Sequence, residues 1–250
     1  MLFQISQNQP GQSGGQIAGT FIQVPVAEAG GAVRGGRFGW KNQQASLLSF
    51  ASDAYLNEQG ITNRFNATDV TSVCDTVADP EDQPDAQGLA DIDHQARFMR
   101  ASLAIPRDAA KAATPDAQAG AQLFNAIGCA ICHVRTFTTL PAGTVINQGQ
   151  YTVPAAIGNK TFHPYSDFLL HNVGTGDGIV QNGGQATADK MRTSPLWGLR
   201  FKSRLMHDLL TFTRNNAILR HGGEATGVTN NYRSLSNTQK NQLIAFLQSL

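Results

Sequence analysis

Apolar residues recur at helical spacing in five stretches of the chain. From Arg37 to Gln59 the apolar residues Leu47, Leu48, Phe50, Ala51, Ala54 and Tyr55 stand at helical spacing, and Gly60 follows as a stop. Leu89 to Leu103 keeps the same period until Pro106 ends it. The clearest local signals begin at Thr114. It offers a hydroxyl N-cap, Pro115 takes the first helical position, Ala119, Leu123, Phe124 and Ile127 form one face, and Gly128 stands past the end. A fourth helix is predicted over Asp208 to Arg220, stopped by Gly222 and Gly223. The last starts at a Ser236 cap with Gln239 three residues on, and buries Leu243, Phe246, Leu247 and Leu250.

Between these stretches the pattern changes. Up to about Gly36 the chain is rich in Gly and Gln, and its one alternating segment, Thr20 to Val26, is interrupted by Pro25; this predicts a weak strand or hairpin in an otherwise irregular arm. Asn63 to Gln87 is rich in Asp, Pro, Thr and Asn and reads as an extended surface loop containing Cys74. Thr136 to Asn172 is rich in Thr, Val and Gly, which favours a short β-hairpin or extended loop over helix. No internal repeat is evident. The fold class expected is mainly α, with a β-containing insertion and an N-terminal irregular arm.

Composition narrows the function classes. At 250 residues and 41% hydrophobic content there is enough chain for one large domain or two small ones. A net charge of +1 with 15% charged residues gives no general field that would draw nucleic acid or an anionic membrane. No apolar run is long enough to span a bilayer, and MLFQISQNQPGQSGGQ lacks the features of a signal peptide. Three cysteines are few for a disulfide scaffold of this size. Two of them are paired by spacing; the third, Cys74, reads as a buried or free thiol, or as one end of a bridge to a cysteine outside this chain.

The paired cysteines carry the chemistry. Gly128 to His133 reads GCAICH, the Cys-x-x-Cys-His pattern of covalent haem attachment. Cys129 and Cys132, on a turn leaving a helix, can each add to one of two neighbouring vinyl groups on a haem edge, and His133 then falls under the iron as proximal ligand. A thioredoxin-type dithiol would want its cysteines at a helix N-terminus, where the dipole lowers a thiol pKa, whereas these follow a helix that Gly128 closes. A structural zinc site needs four ligands, and Cys74 is distant and unpaired. Small cytochrome domains pack a helix ending at this motif across a C-terminal helix; the two best-signalled helices fit that plan, with Gly120 letting Phe246 come close. The expectation is a cytochrome c-like domain over residues 111–250 holding one covalent haem c, preceded by an arm and helices over 1–110.

Residues beyond the motif add a family resemblance. The segments GRFGWKNQQASLL, NEQGITN, AGAQLFNAIGCAICHVRTF, HPYSDFLLHNVGTGDG, RTSPLWGLR and MHDLLTFTRNNAILRHGGEA, spread from about Arg34 to Leu250, resemble the di-haem c-type oxidoreductases, a group also called thiol oxidoreductases and similar to the bacterial di-haem cytochrome c peroxidases. That family carries a second attachment motif in an N-terminal domain, and this sequence has one. The resemblance implies the C-terminal haem domain of a longer, exported, periplasmic protein whose signal peptide lies outside this chain. It also implies a peroxidase-like oxidoreductase as parent, and a redox partner protein or a second haem domain as partner. Two roles follow: electron relay by this haem, or a haem that is itself the peroxide-reactive site. The related peroxidases hold calcium between their haems; nothing in this sequence supports such a site.

The resemblance also bears on the surroundings of the haem. For the distal ligand it favours His221, in RHGGEA, over Met206, with an open or water-bound iron as the third case. Arg192 and Arg200, with Arg204, stand where guanidinium groups could grip haem propionates. Trp197 is expected in the haem-pocket core. Trp40 reads either as a residue between two haems or as a domain-interface anchor. His207 with Asp208 is similar to the His-Asp pair of the peroxidases, although Leu209 replaces their usual Gly, and is read as structural. His94, His163 and His171 are read as satisfied core or surface groups.

Overall fold

The computed structural model describes residues 1–69, 73 and 75–250, so the expectation for Cys74 lies outside the described residues. Among the described residues there are eight α-helices: α1 Leu2–Ser13, α2 Leu47–Gln59, α3 Asp91–Ala101, α4 Ala109–Ala112, α5 Pro115–Ala126, α6 Arg214–Leu219, α7 Thr226–Ser234 and α8 Asn237–Leu247. Four separate two-stranded antiparallel ladders accompany them among the same residues: β1 Gln23–Pro25 with β2 Val33–Gly35, β3 Phe137–Thr138 with β6 Thr161–Phe162, β4 Val145–Ile146 with β5 Tyr151–Thr152, and β7 Leu170–His171 with β8 Met191–Arg192. The mainly helical class with a β-containing insertion is therefore what the chain adopts. No helix among the described residues is long and apolar enough to cross a membrane.

The core is organised by the crossing of α5 and α8. Thr114 Oγ1 accepts from Ala117 N with Pro115 at the first position, and Ser236 and Gln239 form a reciprocal capping box, so both helices start where their side chains dictate. Phe124, Leu243, Phe246, Leu247 and Leu250 then share one buried cluster with Ile127, Tyr165 and Tyr232. The two backbones meet at Gly120, where a Cβ would collide with the carbonyl oxygen of Gln242 and come within 2.8 Å of the Phe246 Cβ. Gly128, at φ 102, turns the chain out of α5 into the 3-10 turn Cys129–Ile131. Only glycine adopts that backbone without strain.

The N-terminal arm departs from expectation. Residues Leu2–Ser13 are helical despite Pro10, and Gly14 in the left-handed conformation closes the helix. Pro10 lacks a helical donor and disfavours helix, but Gln9 beside it is fully buried and bonds to Asp167 and to the Ile131 carbonyl, so tertiary hydrogen bonds outweigh local propensity. The hairpin predicted around Thr20 to Val26 is present as β1 and β2, buried through Val24 and Val26.

A second correction concerns the helix predicted over Asp208 to Arg220. It starts only at Arg214, capped by Thr213, which accepts from Asn216 N. Before it the chain loops: Met206 and Leu209 have left-handed φ of 66° and 57°, Leu205 pairs with Thr211, and Asp208 accepts from Leu210 N. Side-chain bonds of Asp208 and Thr213 compete with the helix for the backbone there. The Arg220 guanidinium grips both Asp208 oxygens, at 3.0 and 2.5 Å, closing the loop against the end of α6.

One further tie fixes the segment between β7 and β8. Lys41 is buried, with Nζ 2.8 Å from Asp177 Oδ1 and donating to the carbonyls of Ala188 at 2.5 Å and Lys190 at 3.2 Å.

Two outcomes test this packing. Alanine at an exposed helical glycine gains up to about 1 kcal/mol, but at Gly120 the steric clash dominates, and Gly120→Ala is expected to lower unfolding free energy by about 1–3 kcal/mol in a denaturant titration. The Asp208 carboxyl is held down to about 2 by hydrogen bonds from Arg220. Its folded value lies below the ordinary one, so its contribution is full above about pH 4 and disappears as pH falls through about 2. Asp208→Asn should cost about 0.2–1 kcal/mol at neutral pH, a partly exposed pair being screened. In thermal melts the gap to the parent protein should close as the solution is acidified.

Candidate functional site

The site is built around the turn that follows α5. Cys129 and Cys132 are unpaired and half-buried, and His133 N donates to the Cys129 carbonyl at 2.9 Å, which keeps the turn tight. All three lie in a recess: protein surrounds them closely enough to strip most water, yet solvent still reaches their atoms. Burial, then the neighbouring Cys132 sulfur, pushes the Cys129 thiol up to about 12. Burial also raises Cys132, against the opposing pull of His171. Burial of this kind disfavours the thiolate that a thioredoxin-type pair needs.

His133 is oriented by one bond. Its Nδ1–H donates to the Tyr165 carbonyl at 2.8 Å, so the tautomer is set and Nε2 carries the lone pair, with no protein partner among the described residues. Burial pushes its protonation down to about 4, and the ring is neutral at physiological pH. His221 has the same arrangement: Nδ1 donates to the Ala217 carbonyl at 2.7 Å, and burial lowers its protonation too. Each ring leaves Nε2 without a hydrogen-bond partner among the described residues, so either could serve as a ligand to a haem iron.

Beside His133 a cleft is lined by Phe124, Tyr165 and Phe246, with the exposed Arg107 and Arg135. Arg107 bonds to Ser249 Oγ and lies over the Phe246 ring at 5.2 Å, while its neighbour Asp108 caps α4. Sequence reasoning missed both arginines, although Arg135 stands two residues after His133. The arginines it named lie elsewhere. Arg192 donates to the Gly39 carbonyl, faces Phe168, and is lowered to about 10 by burial; Arg200 donates to the Leu250 carbonyl and covers Phe201. Trp197 packs near Phe162, with ring centroids 6.2 Å apart.

The remaining candidates separate cleanly. Trp40 is 43% exposed and edge-on to the His207 ring at 6.1 Å. His207 donates to the Thr175 carbonyl, a structural bond. His94 pairs with Asp85 on the surface and His163 bonds to Thr136 Oγ1. Met206 heads the loop before α6 with left-handed backbone.

His171 is satisfied and buried, as expected, but its partners were not legible. Nε2 lies 2.8 Å from Asp167 Oδ2, Nδ1 2.8 Å from Glu224 Oε2, and Nδ1 3.9 Å from the Cys132 sulfur. Ligand atoms of Cys132, Asp167 and His171 thus converge within 4.8 Å. Both ring nitrogens already face carboxylates, each at hydrogen-bond distance.

No curated protein matches the chain. Residues 6–250 match the family described as "Di-haem oxidoreductase, putative peroxidase". The chain belongs to this di-haem oxidoreductase family.

Proposed function

We propose that this chain carries one covalently attached haem c, held by thioethers from Cys129 and Cys132 with His133 as proximal ligand, and that its activity is electron transfer within a peroxidase-like oxidoreductase. The observation that carries the reading is His133 itself: a neutral imidazole locked through Nδ1 to Tyr165, with Nε2 unpartnered, directly beside two free thiols. The residues fit the group. Two sulfurs three positions apart supply the tether, and the aromatic wall of Phe124, Tyr165 and Phe246 supplies apolar contact beside the imidazole. The crossing of α5 and α8, with the Cys129–His133 turn at its end, supports a cytochrome c-like domain, which we assign to residues 111–250. Residues 1–110 add cover.

The haem would supply a one-electron ferric/ferrous couple. The protein does the rest. Tyr165 keeps His133 in the donor tautomer, and the cluster around Phe246 excludes water. For the distal side we assign His221 in preference to Met206, because its Nδ1 is bonded to the Ala217 carbonyl and its Nε2 has no hydrogen-bond partner among the described residues. Bis-imidazole ligation favours relay over direct reaction with peroxide, since it leaves the iron no open position. Arg107 and Arg135 suit the role of propionate partners better than Arg192 and Arg200, whose guanidinium groups are committed to backbone carbonyls. Trp197 we place at the edge of the pocket. The partner we propose is a redox protein or a second haem domain, and thioether attachment would favour a periplasmic location.

Mass spectrometry of periplasmically produced protein should give the polypeptide mass plus one haem, and Cys129→Ala combined with Cys132→Ala should lose it; the bare mass in the parent protein overturns the reading. The ferric protein should show a six-coordinate low-spin optical spectrum. His221→Ala should convert it to high spin; an unchanged spectrum would remove the distal assignment and leave Met206 or another ligand.

A further inference from the structure

The cluster of Gln9, Asp167, His171 and Glu224 lies against the attachment turn and is not used by the chemistry above. His171 is 2% exposed, and its two nitrogens each point at a carboxylate oxygen at 2.8 Å. A neutral imidazole has one N–H and one lone pair, and would aim that lone pair at a carboxylate. Two carboxylate partners therefore require two N–H groups, the imidazolium form. Its protonation is accordingly raised well above the ordinary range, hydrogen bonds from the ring to Asp167 and Glu224 overcoming the cost of burial.

The ring cannot easily leave this place. Gly19 packs over it so closely that a Cβ there would sit 2.7 Å from both Cε1 and Nε2. Asp167 is anchored by Gln9 Nε2 at 2.6 Å and by Leu169 N, and its own backbone N–H donates to the Cys132 carbonyl. Glu224 accepts from the backbone of Ala18 and Asn172. Residues of the N-terminal arm, of the β7 region and of the segment before α7 thus converge on one sulfur, that of Cys132, 3.9 Å from Nδ1. A thioether sulfur would be joined to the porphyrin edge through a single carbon, so a fixed charge beside it would act on the haem across little solvent, where the effective dielectric is low.

We infer that His171 is a positioning residue that presents a fixed positive charge to the Cys132 thioether and raises the reduction potential of the attached haem, while Glu224 opposes it. A cation held near the iron favours the ferrous form, and an anion the ferric form. The inference rests on the covalent-haem reading, and the experiment separates the two. Haem-loaded full-length protein, His171→Gln and Glu224→Gln are each weighed by mass spectrometry and then titrated potentiometrically at pH 8 with the haem optical bands as readout. His171→Gln should move the equilibrium about tenfold toward ferric haem, about 59 mV for one electron, and Glu224→Gln should move it the opposite way. General loosening of the fold would move both variants in the same direction, so equal signs, or no movement, overturn the inference. If His171→Gln does not fold, Glu224→Gln decides alone: a potential that fails to rise refutes it. Parent protein without haem overturns the underlying reading instead.

Discussion

The close approach of α5 and α8 at Gly120 is the constraint on which the rest of the domain depends. Because α5 lies directly on the backbone of α8, Phe124 and Phe246 can face each other with ring centroids 5.1 Å apart, and Tyr165 completes the aromatic group. Tyr165 is also the residue whose carbonyl orients His133. Helix packing and imidazole orientation are thus one structure: the side chain that seals the core belongs to the residue that fixes the His133 tautomer. A wider helix pair would loosen both at once.

Much of this was legible in the sequence where the determinants are local. Caps at Thr114 and Ser236, the stop at Gly128 and the Cys129–His133 turn all depend on neighbours within a few residues, and each stands where its side-chain chemistry puts it. The failures share the opposite cause. Helix α1 looked irregular because its stability comes from Gln9 reaching residues 131 and 167, contacts with no local signature. Helix α7, TGVTNNYRS, shows no apolar period because it buries only Thr229 and Tyr232, so nothing marked it.

The candidate site divides in the same way. Cys129, Cys132 and His133 are adjacent in sequence and readable from spacing alone. The charged group around His171 is assembled from residues 9, 167, 171 and 224, and no spacing rule connects them. Arginines raise a related difficulty: proximity to a suggestive segment pointed to Arg192 and Arg200, but a guanidinium serves whichever acceptor the fold brings near, and here those are the carbonyls of Gly39 and Leu250.

Lys41 illustrates a different economy. Its ammonium, ringed by a carboxylate and main-chain oxygens, occupies the kind of oxygen-lined nest that many proteins fill with a diffusible ion. Here the ion is welded to the polypeptide. The loop it organises should therefore keep its shape through dialysis and chelation, conditions under which a loop closed by a free cation falls open.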